Sequence, residues 1–336
     1  MTKLDNVLLT GASGFLGVHL LKELLTVCNV YAVVRSADKL VSGLLKFKID
    51  LSNCQYKLNI IEVADLYNCD LHSFPDVDLV VHSAGMVQNV GNAELFQRNN
   101  VDVTMQLARH YKDKLVFIST LSVFVSSKFN YGTHEYDSPV KPQLLIGNYA
   151  KSKADAETWV TVNNGFIFRL GLLTPSTETG ISFENSFFEM FVTALYELDY
   201  ICPPEPNAYV DLTPVDVCAK LIVMYMLVAL DKRKTFHIAN EQSVSLTQLI
   251  SHMPKTYITC DKDTFVENLS SLSPIKRTLI KNAFFKNTLL KKCDHKFNLD
   301  VFQSTGHYYG SDCFSYDNEV LLVHYIKSIV GGAENE

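Results

Sequence analysis

The first half of the chain alternates short, continuously apolar runs with longer amphipathic segments. The apolar runs have the length of strands, and the segments between them carry apolar residues at helical spacing, as in residues 15–27 and 93–111. Strands of continuous rather than alternating hydrophobicity, separated by helices, indicate a parallel sheet covered on both faces. We therefore predict an α/β fold with a Rossmann-type doubly wound parallel sheet. Its predicted strands are residues 6–11, 30–35, 58–65, 77–85, 114–120 and 164–171.

The pattern loosens after Gly171. We predict a polar loop, a helix, a proline-rich turn and then a helix that begins at Pro214. We therefore assign residues 1–171 to a larger domain, to which later segments near 208–240 return, and residues 172–336 to a smaller, mostly helical domain.

Composition and charge narrow the class of protein without identifying a partner. The 336 residues are 47% hydrophobic and 20% charged, which is ordinary for a globular enzyme, and the net charge of −6 gives no reason to expect nucleic-acid binding. The eight cysteines form no C-x-x-C pair and no cluster with histidine at zinc spacing, so we expect no metal site and a cytoplasmic location. No signal peptide is recognisable, and the most apolar run, residues 220–230, is too short to span a bilayer, so we expect no membrane partner.

Three glycines between the first strand and the first helix predict a nucleotide site. Gly11, Gly14 and Gly17 permit a tight turn, close approach of the backbone to a pyrophosphate, and close packing of the helix, whose N-terminus offers N–H groups to the anion. A glycine triplet alone is a weak signal, but this one follows a strand and opens a helix, as the motif requires. The residues predicted to contact the dinucleotide here are Thr10, Gly11, Ser13, Gly14, Phe15, Leu16 and Gly17.

The end of the second predicted strand distinguishes between the two dinucleotides. A carboxylate at this position would accept hydrogen bonds from the ribose hydroxyls of NAD, but the chain has Arg35 there and Lys39 one helical turn later. A guanidinium suits a 2′-phosphate, so we predict NADP(H) as the cofactor. A solvated surface arginine is the alternative.

The third and fourth strands also end in candidate cofactor contacts. Asp65, followed by Leu66, is placed to accept a hydrogen bond from the adenine amine, although an aspartate that caps a turn fits the sequence equally well. Ser83, Ala84 and Gly85 close the fourth strand, where small side chains allow a cofactor to lie against the edge of the sheet.

The fifth predicted strand and the helix after it carry candidate catalytic groups. Thr120 lies at the carboxyl end of the strand, where ligands of parallel sheets bind, with Ser119 and Ser122 beside it. Tyr149 and Lys153 follow at a spacing of four on the next helix. A phenol beside a cation is an arrangement that can donate a proton, and the threonine adds a hydroxyl.

These motifs resemble those of the extended short-chain dehydrogenase/reductases: T-G-x-x-G-x-x-G at Thr10–Gly17, Asn100 followed by valine, Thr120 in S-T-L-S-V, and Y-x-x-x-K at Tyr149–Lys153. Within that superfamily the chain is most similar to thioester reductase domains. These are the terminal domains of nonribosomal peptide synthetases, with relatives in carboxylic acid reductases and fatty acyl-CoA reductases. The segments that carry this narrower resemblance are residues 11–25, 118–123, 149–157, 168–180, 210–223 and 321–329, together with Arg35.

The resemblance implies hydride transfer from NADPH to a carbonyl carbon. Tyr149 would donate a proton to the developing oxyanion, and Thr120 would be a second donor to the carbonyl oxygen. Lys153 would hold the nicotinamide ribose and lower the pKa of the phenol by its charge. Asn100 matches the helix asparagine of the family, which supports a proton-relay water. The resemblance thus makes Tyr149 and Lys153 both catalytic and cofactor-binding residues.

The resemblance also implies a substrate and a partner. The substrate would be an acyl or peptidyl chain on the phosphopantetheine arm of a carrier protein, released as an aldehyde that some relatives reduce again to an alcohol. We expect a monomer that receives the carrier protein at its smaller domain. Because carrier proteins present acidic helices, a basic stretch is a candidate docking surface, although a solvated face explains it equally well. Its cations are Lys276, Arg277, Lys281, Lys286, Lys291, Lys292 and Lys296.

Three features depart from the family or leave alternatives open. Relatives usually carry asparagine where this chain has Leu172. A chain that starts at the first strand fits an excised synthetase domain as well as a stand-alone enzyme. Aromatic residues of the smaller domain fit an acyl pocket, and ordinary core packing explains them equally well. These aromatic residues are Phe183, Phe187, Phe188, Phe191, Tyr196 and Tyr200.

Two other classes of function remain compatible with the sequence. One is another extended short-chain carbonyl reductase, dehydrogenase or nucleotide-sugar enzyme. Arg35 argues against the NAD-retaining epimerases, and no acid lies beside Thr120, as a dehydratase would need. The other class is a noncatalytic NADP-binding sensor. Such proteins typically lose the tyrosine–lysine pair that this chain retains.

Overall fold

The structure of the protein is a computed structural model, which describes residues 3–87, 92–125, 137–145, 147–184, 186–206, 208–228, 230, 234–240, 243–286 and 317–333. This part of the chain forms two compact units. The first contains the residues up to Gly171 together with Val215–Ile238. The second contains Leu172–Pro214, the described residues from Ala239 onward to 286, and the last helix. No helix in these ranges is both long and apolar enough to cross a membrane.

The strands are short, and most of the longer ones belong to the first unit. In chain order they are β1 (Asn6–Thr10), β2 (Asn29–Val34), β3 (Leu58–Glu62), β4 (Leu79–His82), β5 (Leu115–Thr120), β6 (Phe166–Leu170), β7 (Leu173–Thr174), β8 (Tyr200–Ile201), β9 (Tyr209–Val210), β10 (Thr213–Pro214), β11 (Thr235–Ile238), β12 (Val244–Ser245) and β13 (Ile258–Thr259).

The helices alternate with the strands of the first unit and predominate in the second. They are α1 (Phe15–Leu24), α2 (Ala37–Lys46), α3 (Ala93–Phe96), α4 (Val103–Tyr111), α5 (Asn148–Val162), α6 (Phe187–Glu197), α7 (Val215–Val228), α8 (Leu246–Ser251), α9 (Lys262–Asn268), α10 (Pro274–Lys281) and α11 (Asn318–Ala333).

The first unit is built on a seven-stranded parallel sheet. Its strand order is β11-β6-β5-β4-β1-β2-β3, so the chain runs outward from β1 to β3 and then returns to β4 on the other side of β1. Thr10 is paired with His82 in this register, which brings the carboxyl ends of β1 and β4 together. Ligands of doubly wound sheets bind at such a reversal. The Rossmann-type α/β fold predicted from the sequence is confirmed.

Burial on both faces explains why the strand sequences are continuously apolar. Every residue of β4 and of β6 is buried. Leu8, Phe117 and Ile167 of the sheet pack in one cluster with residues of α4 and α5, so these helices cover one face. Helices α1 and α7 pack against each other and contact β1 and β11, respectively. The apolar run at residues 220–230, predicted to be a buried helix, lies largely within α7.

The helix predicted over residues 93–111 is not a regular α-helix. Between α3 and α4 the chain forms a π-helical turn over Gln97–Asp102, which contains Asn100. Apolar periodicity does not distinguish a π turn from an α turn, and π turns are frequent at functional sites. Helix α2, between β2 and β3, was not predicted.

The second unit encloses its own apolar core. Phe188 and Phe191 of α6 are fully buried in it, and Leu172 packs against it. Phe187 and Tyr196 also pack against this core, whereas Phe183 is 39% exposed. The aromatic residues of α6 are therefore core residues, and of the two interpretations of the sequence core packing is the better one for them.

Candidate active site

The glycine turn is specified by the lack of space for side chains. Gly11 has a positive φ of 76°, and a Cβ atom there would lie 2.6 Å from the backbone nitrogen of Ala84. A Cβ atom on Gly17 would lie 2.0 Å from the carbonyl oxygen of Gly11. Gly14 donates its N–H to the same oxygen at 2.9 Å and precedes α1, whose first residues are Phe15 and Leu16. The turn therefore leaves the N-terminus of α1 open to an anion.

Arg35 and Lys39 lie at the carboxyl end of β2 and in the first turn of α2. Both are exposed. Two backbone N–H groups at the N-terminus of α2 already have partners, because Ser36 accepts from the N–H of Lys39 and Glu62 accepts from that of Ala37. The two cations remain accessible to an anion, as the predicted 2′-phosphate contact requires.

Asp65 makes several contacts within the protein. Its Oδ1 accepts from the backbone N–H of Tyr67 at 3.1 Å, and its Oδ2 accepts from Asn68 at 2.7 Å and from the guanidinium of Arg98. Leu66 packs against the core under α4 and α5. The contacts with Tyr67 and Asn68 are those of an aspartate that caps a turn, and the adenine contact of Asp65 stays a prediction.

The edge of β4 lies beside the glycine turn and the predicted catalytic groups. Ser83 donates its N–H to the carbonyl of Thr10 at 3.2 Å. A Cβ atom on Gly85 would lie 3.2 Å from Asn100 Oδ1 and 3.5 Å from Lys153 Nζ. A side chain at position 85 would therefore crowd Asn100 and Lys153, where the sequence predicts a cofactor to pass.

Tyr149 and Thr120 form one hydrogen-bonded pair. Tyr149 lies in the first turn of α5, and its phenol is hydrogen bonded to the side chain of Thr120 at the end of β5. Burial raises the pKa of Tyr149 to about 12, and the bond to Thr120 offsets only part of that rise. The pKa of Tyr149 is therefore raised in the protein as described, opposite to the expected lowering. The phenol stays protonated at neutral pH and can act as an acid.

Lys153 lies one turn after Tyr149 and is only 4% exposed. Its ammonium donates to the carbonyl of Ile118 at 2.8 Å and lies 4.5 Å from the ring centroid of Phe117. Burial lowers the pKa of Lys153 to about 8, against the opposing effect of the Glu157 carboxylate. The lysine is therefore mainly charged at neutral pH and loses its proton in mildly alkaline solution.

Asn100 joins the edge of β4 to α5. Its Oδ1 accepts from the N–H of Met86 at 2.7 Å, and its Nδ2 donates to the carbonyl of Met86 at 3.0 Å and to Ser152 Oγ at 2.9 Å. Ser152 Oγ in turn donates to the carbonyl of Tyr149 at 2.8 Å. The carboxamide is thus held by protein groups, and its predicted support of a proton-relay water stays a prediction.

A buried ion pair joins Glu157 of α5 to Arg169 of β6, and it was not predicted from the sequence. Glu157 accepts from Arg169 Nε at 3.1 Å and from its Nη2 at 2.7 Å, and it also accepts from Ser119 Oγ. Arg169 Nη1 also donates to the carbonyl of Asp137 at 2.8 Å. Two signals could have revealed the pair: Glu157 follows Lys153 by one helical turn, and Arg169 interrupts an otherwise apolar strand. The pair fixes α5 against β5 and β6.

In the second unit, the Asp211 carboxylate supports the main chain at Leu172. Asp211 accepts from the backbone N–H of Leu172 at 2.8 Å and from Thr213 Oγ1 at 2.9 Å. Burial raises the pKa of Asp211 to about 6. At position 172 the main chain supplies the hydrogen bond, and the leucine side chain packs in the core.

The basic stretch is partly engaged in contacts within its own unit. Lys276 forms an ion pair with Glu197 at 2.6 Å, and Arg277 donates to the carbonyls of Leu269 and Leu272. Neither cation is therefore fully available to a partner. The side chain of Lys286 and residues Lys291, Lys292 and Lys296 lie outside the described residues.

The sequence matches one family model and several curated proteins. The family model NAD_binding_4, described as male sterility protein, matches residues 9–65 and 66–222. A linear gramicidin synthase of Brevibacillus parabrevis is 28% identical over 271 residues, which cover 73% of this chain and 5% of that protein. Fatty acyl-CoA reductase 1 of Pongo abelii is 26% identical over 276 residues, which cover 64% of this chain and 53% of that protein. The matched regions cover only 5%, 17% and 29% of the lengths of three curated relatives, of which the gramicidin synthase is the first.

Solved structures share the fold over almost the whole chain. The terminal R domain from the myxalamid PKS-NRPS biosynthetic pathway has a TM-score of 0.81 and 22% identity, covering 99% of this chain and 92% of that one. A thiolation-reductase di-domain from an archaeal nonribosomal peptide synthetase has a TM-score of 0.77 and 21% identity, covering 99% of this chain and 76% of that one.

Proposed function

Because the chain belongs to the male sterility protein family of NAD-binding domains, we propose that it is an NADPH-dependent reductase that releases an acyl or peptidyl chain from a carrier-protein thioester as an aldehyde. The observation that carries this proposal is the hydrogen-bonded pair of Thr120 and Tyr149, with the buried Lys153 one turn further along α5. The similarity to gramicidin synthase and to fatty acyl-CoA reductase supports the thioester as the substrate class.

The residues at the carboxyl edge of the sheet fit a dinucleotide that carries a 2′-phosphate. The tight turn at Gly11 and Gly17 admits no side chain, so the backbone of Thr10–Gly17 is open to a pyrophosphate, and the exposed Arg35 offers a guanidinium to a 2′-phosphate. Gly85 lies beside Lys153, which would hold the nicotinamide ribose. When bound, NADPH supplies the hydride.

The protein's own part in the reaction is to bind and protonate the carbonyl oxygen. Tyr149 and Thr120 present two hydroxyls to one oxygen, and the negative charge that develops on it strengthens both hydrogen bonds. Tyr149 then gives its proton to that oxygen, which yields a hemithioacetal. Collapse of the hemithioacetal releases the aldehyde and the free thiol of the phosphopantetheine arm. The positive charge of Lys153 stabilises the phenolate that remains.

The partner follows from the substrate. A thioester on a phosphopantetheine arm reaches the enzyme attached to a carrier protein, so we propose a phosphopantetheinylated carrier as the partner. One of the similar structures is itself a thiolation-reductase di-domain, which supports this pairing. A second reduction of the aldehyde to an alcohol uses the same groups and is the natural extension of the activity.

A product assay tests the proposed function. The protein is mixed with acyl-phosphopantetheine thioesters of several chain lengths and either NADPH or NADH, and the products are identified by mass spectrometry. We expect an aldehyde or alcohol with NADPH and much slower formation with NADH. If the protein binds NADPH but forms no reduced product from any thioester, the function is a different carbonyl reduction or the noncatalytic sensor.

A further inference from the structure

A buried histidine connects the glycine turn to the helix that carries Asn100. His82 Nδ1 lies 2.7 Å from Thr10 Oγ1, and its Nε2 lies 3.1 Å from Thr104 Oγ1. Thr10, His82, Thr104 and Asn100 are each at most 2% exposed, so water is not an alternative partner for these groups. Their hydrogen bonds must therefore be satisfied by protein groups.

The hydroxyl protons decide the direction of the chain of hydrogen bonds. Thr104 Oγ1 donates its only proton to the carbonyl of Asn100, so toward the imidazole it can only accept, and Nε2 must carry a hydrogen. Thr10 Oγ1 accepts from the N–H of Ala84 at 3.4 Å and has its own proton for Nδ1. The opposite tautomer would take the Thr104 proton away from Asn100 and lose one hydrogen bond.

The imidazole is neutral at ordinary pH. Burial lowers the pKa of His82 to about 3, and the positive charge of Lys153 contributes to the same effect. In the described part of the chain, the other groups shown against the ring are uncharged: the hydroxyls of Thr10 and Thr104, and the ring of Phe117, stacked at 5.8 Å between centroids. A proton on both nitrogens would leave Thr10 without an acceptor for its hydroxyl.

We propose that His82 is a positioning residue, a neutral imidazole with its hydrogen on Nε2, that links Thr10 at the glycine turn through Thr104 to Asn100. Because the Asn100 carboxamide also holds Met86 and Ser152, the link places the cofactor turn and the first turn of α5 in one hydrogen-bonded arrangement. Its importance for catalysis rests on the proposed function, whereas the tautomer and the link do not.

Nitrogen NMR of the wild-type protein tests the tautomer. The ten histidines are labelled with ¹⁵N, and the His82→Gln variant assigns the His82 signals. We expect Nε2 to carry the hydrogen and Nδ1 to be bare, without change from pH 5 to pH 8. A hydrogen on Nδ1, or an imidazolium in that range, overturns the proposal.

A matched pair of variants at Thr104 tests the link. Thr104→Val keeps the shape of the side chain and removes the hydroxyl, whereas Thr104→Ser keeps the hydroxyl. We expect hydrogen exchange at the Met86 amide to accelerate about fivefold in T104V, which corresponds to about 1 kcal/mol, and less than twofold in T104S. Equal exchange in the two variants overturns the positioning role.

The same pair provides a catalytic readout. If the proposed function holds, kcat for the thioester falls about fivefold in T104V while its KM changes less than twofold, and T104S stays near the wild type. Wild-type kcat in both variants overturns the catalytic relevance of the link. Failure of the wild-type protein to reduce any thioester refutes the proposed function instead, and the NMR and exchange results still decide the role of His82.

Discussion

Two regions of the first unit are built in opposite ways. The proposed specificity end, Arg35 and Lys39, is exposed to solvent. The proposed catalytic end, Thr120, Tyr149 and Lys153, is held by its surroundings: the phenol is hydrogen bonded to Thr120, the lysine donates to the carbonyl of Ile118, and the same helix carries Glu157 of the buried ion pair. A change at the specificity end should therefore alter one contact. A change at the catalytic end should also alter the pKa values of neighbouring groups and the free energy of unfolding.

The largest effect is expected from Tyr149→Phe. Loss of the proton donor should lower kcat by about 10²–10⁴-fold, with NADPH affinity within about twofold of the wild type. The measurement is steady-state turnover of an acyl-phosphopantetheine thioester together with NADPH titration. Tyr111→Phe is the matched control, because it removes a buried phenol hydroxyl that has no hydrogen-bond partner among the described residues, and it should leave turnover unchanged. A sensor would show no difference between the two variants.

The buried ion pair should decide stability at the catalytic end. Glu157→Gln keeps the shape of the side chain but leaves the Arg169 guanidinium buried without a countercharge, so the free energy of unfolding should fall by about 3–5 kcal/mol. Urea denaturation of the whole protein measures this change in the free energy of unfolding. Glu94→Gln, at an exposed position, should change it by less than about 0.5 kcal/mol. Similar values for the two variants would show that the pair contributes no more than a surface charge.

The specificity end should affect affinity without affecting stability. Arg35→Ala should weaken NADPH binding by about 10–100-fold, the value of one or two charge-assisted hydrogen bonds, and should leave NADH binding unchanged. Fluorescence titration with both dinucleotides gives the ratio. Lys46→Ala, at the other end of α2, is the control. Equal weakening of NADPH and NADH binding would mean that Arg35 does not contact the 2′-phosphate.

The smallest effect is expected in the alkaline limb of the pH–activity profile, where kcat falls as the pH rises. Because burial lowers the pKa of Lys153 to about 8, its charge is largely present below pH 8 and is lost above it, so kcat should fall about fivefold between pH 8 and pH 9. In Glu157→Gln the limb should move to lower pH, since the carboxylate that raises this pKa is gone. A plateau up to pH 10 would show that the charge of Lys153 is not needed for turnover.

The sequence predicted the features of the fold that depend on local pattern. Continuously apolar runs identify β1, β2 and β4 to β6 because both faces of the sheet are covered there, whereas the edge strand β3 is only partly buried. The spacing of Gly11, Gly14 and Gly17 identifies the turn because sterics there exclude side chains. The order of Thr120, Tyr149 and Lys153 along the chain predicts a site, and the structure places Tyr149 in contact with Thr120 at one edge of the sheet, with Lys153 one helical turn further on.

What the sequence did not predict depends on tertiary neighbours. The π turn at Gln97–Asp102 changes hydrogen bonding but not the apolar pattern. The Glu157–Arg169 pair joins a helix to a strand twelve residues away. The direction of the Tyr149 pKa depends on burial, which charge spacing along a helix does not reveal. The sequence leaves two roles open for Asp65: its bond from the backbone N–H of Tyr67 is that of a turn cap, whereas its ion pair with Arg98 joins residues 33 positions apart.

Isotope transfer tests the central claim most directly. NADPH deuterated at C4, on one face and then on the other, is mixed with the wild-type protein and an acyl-phosphopantetheine thioester, and the aldehyde is analysed by mass spectrometry. The proposed function predicts that deuterium from one of the two labelled faces appears at the aldehyde carbon. An aldehyde without deuterium from either face, or no aldehyde at all, would contradict a reductase that transfers hydride to the thioester carbonyl.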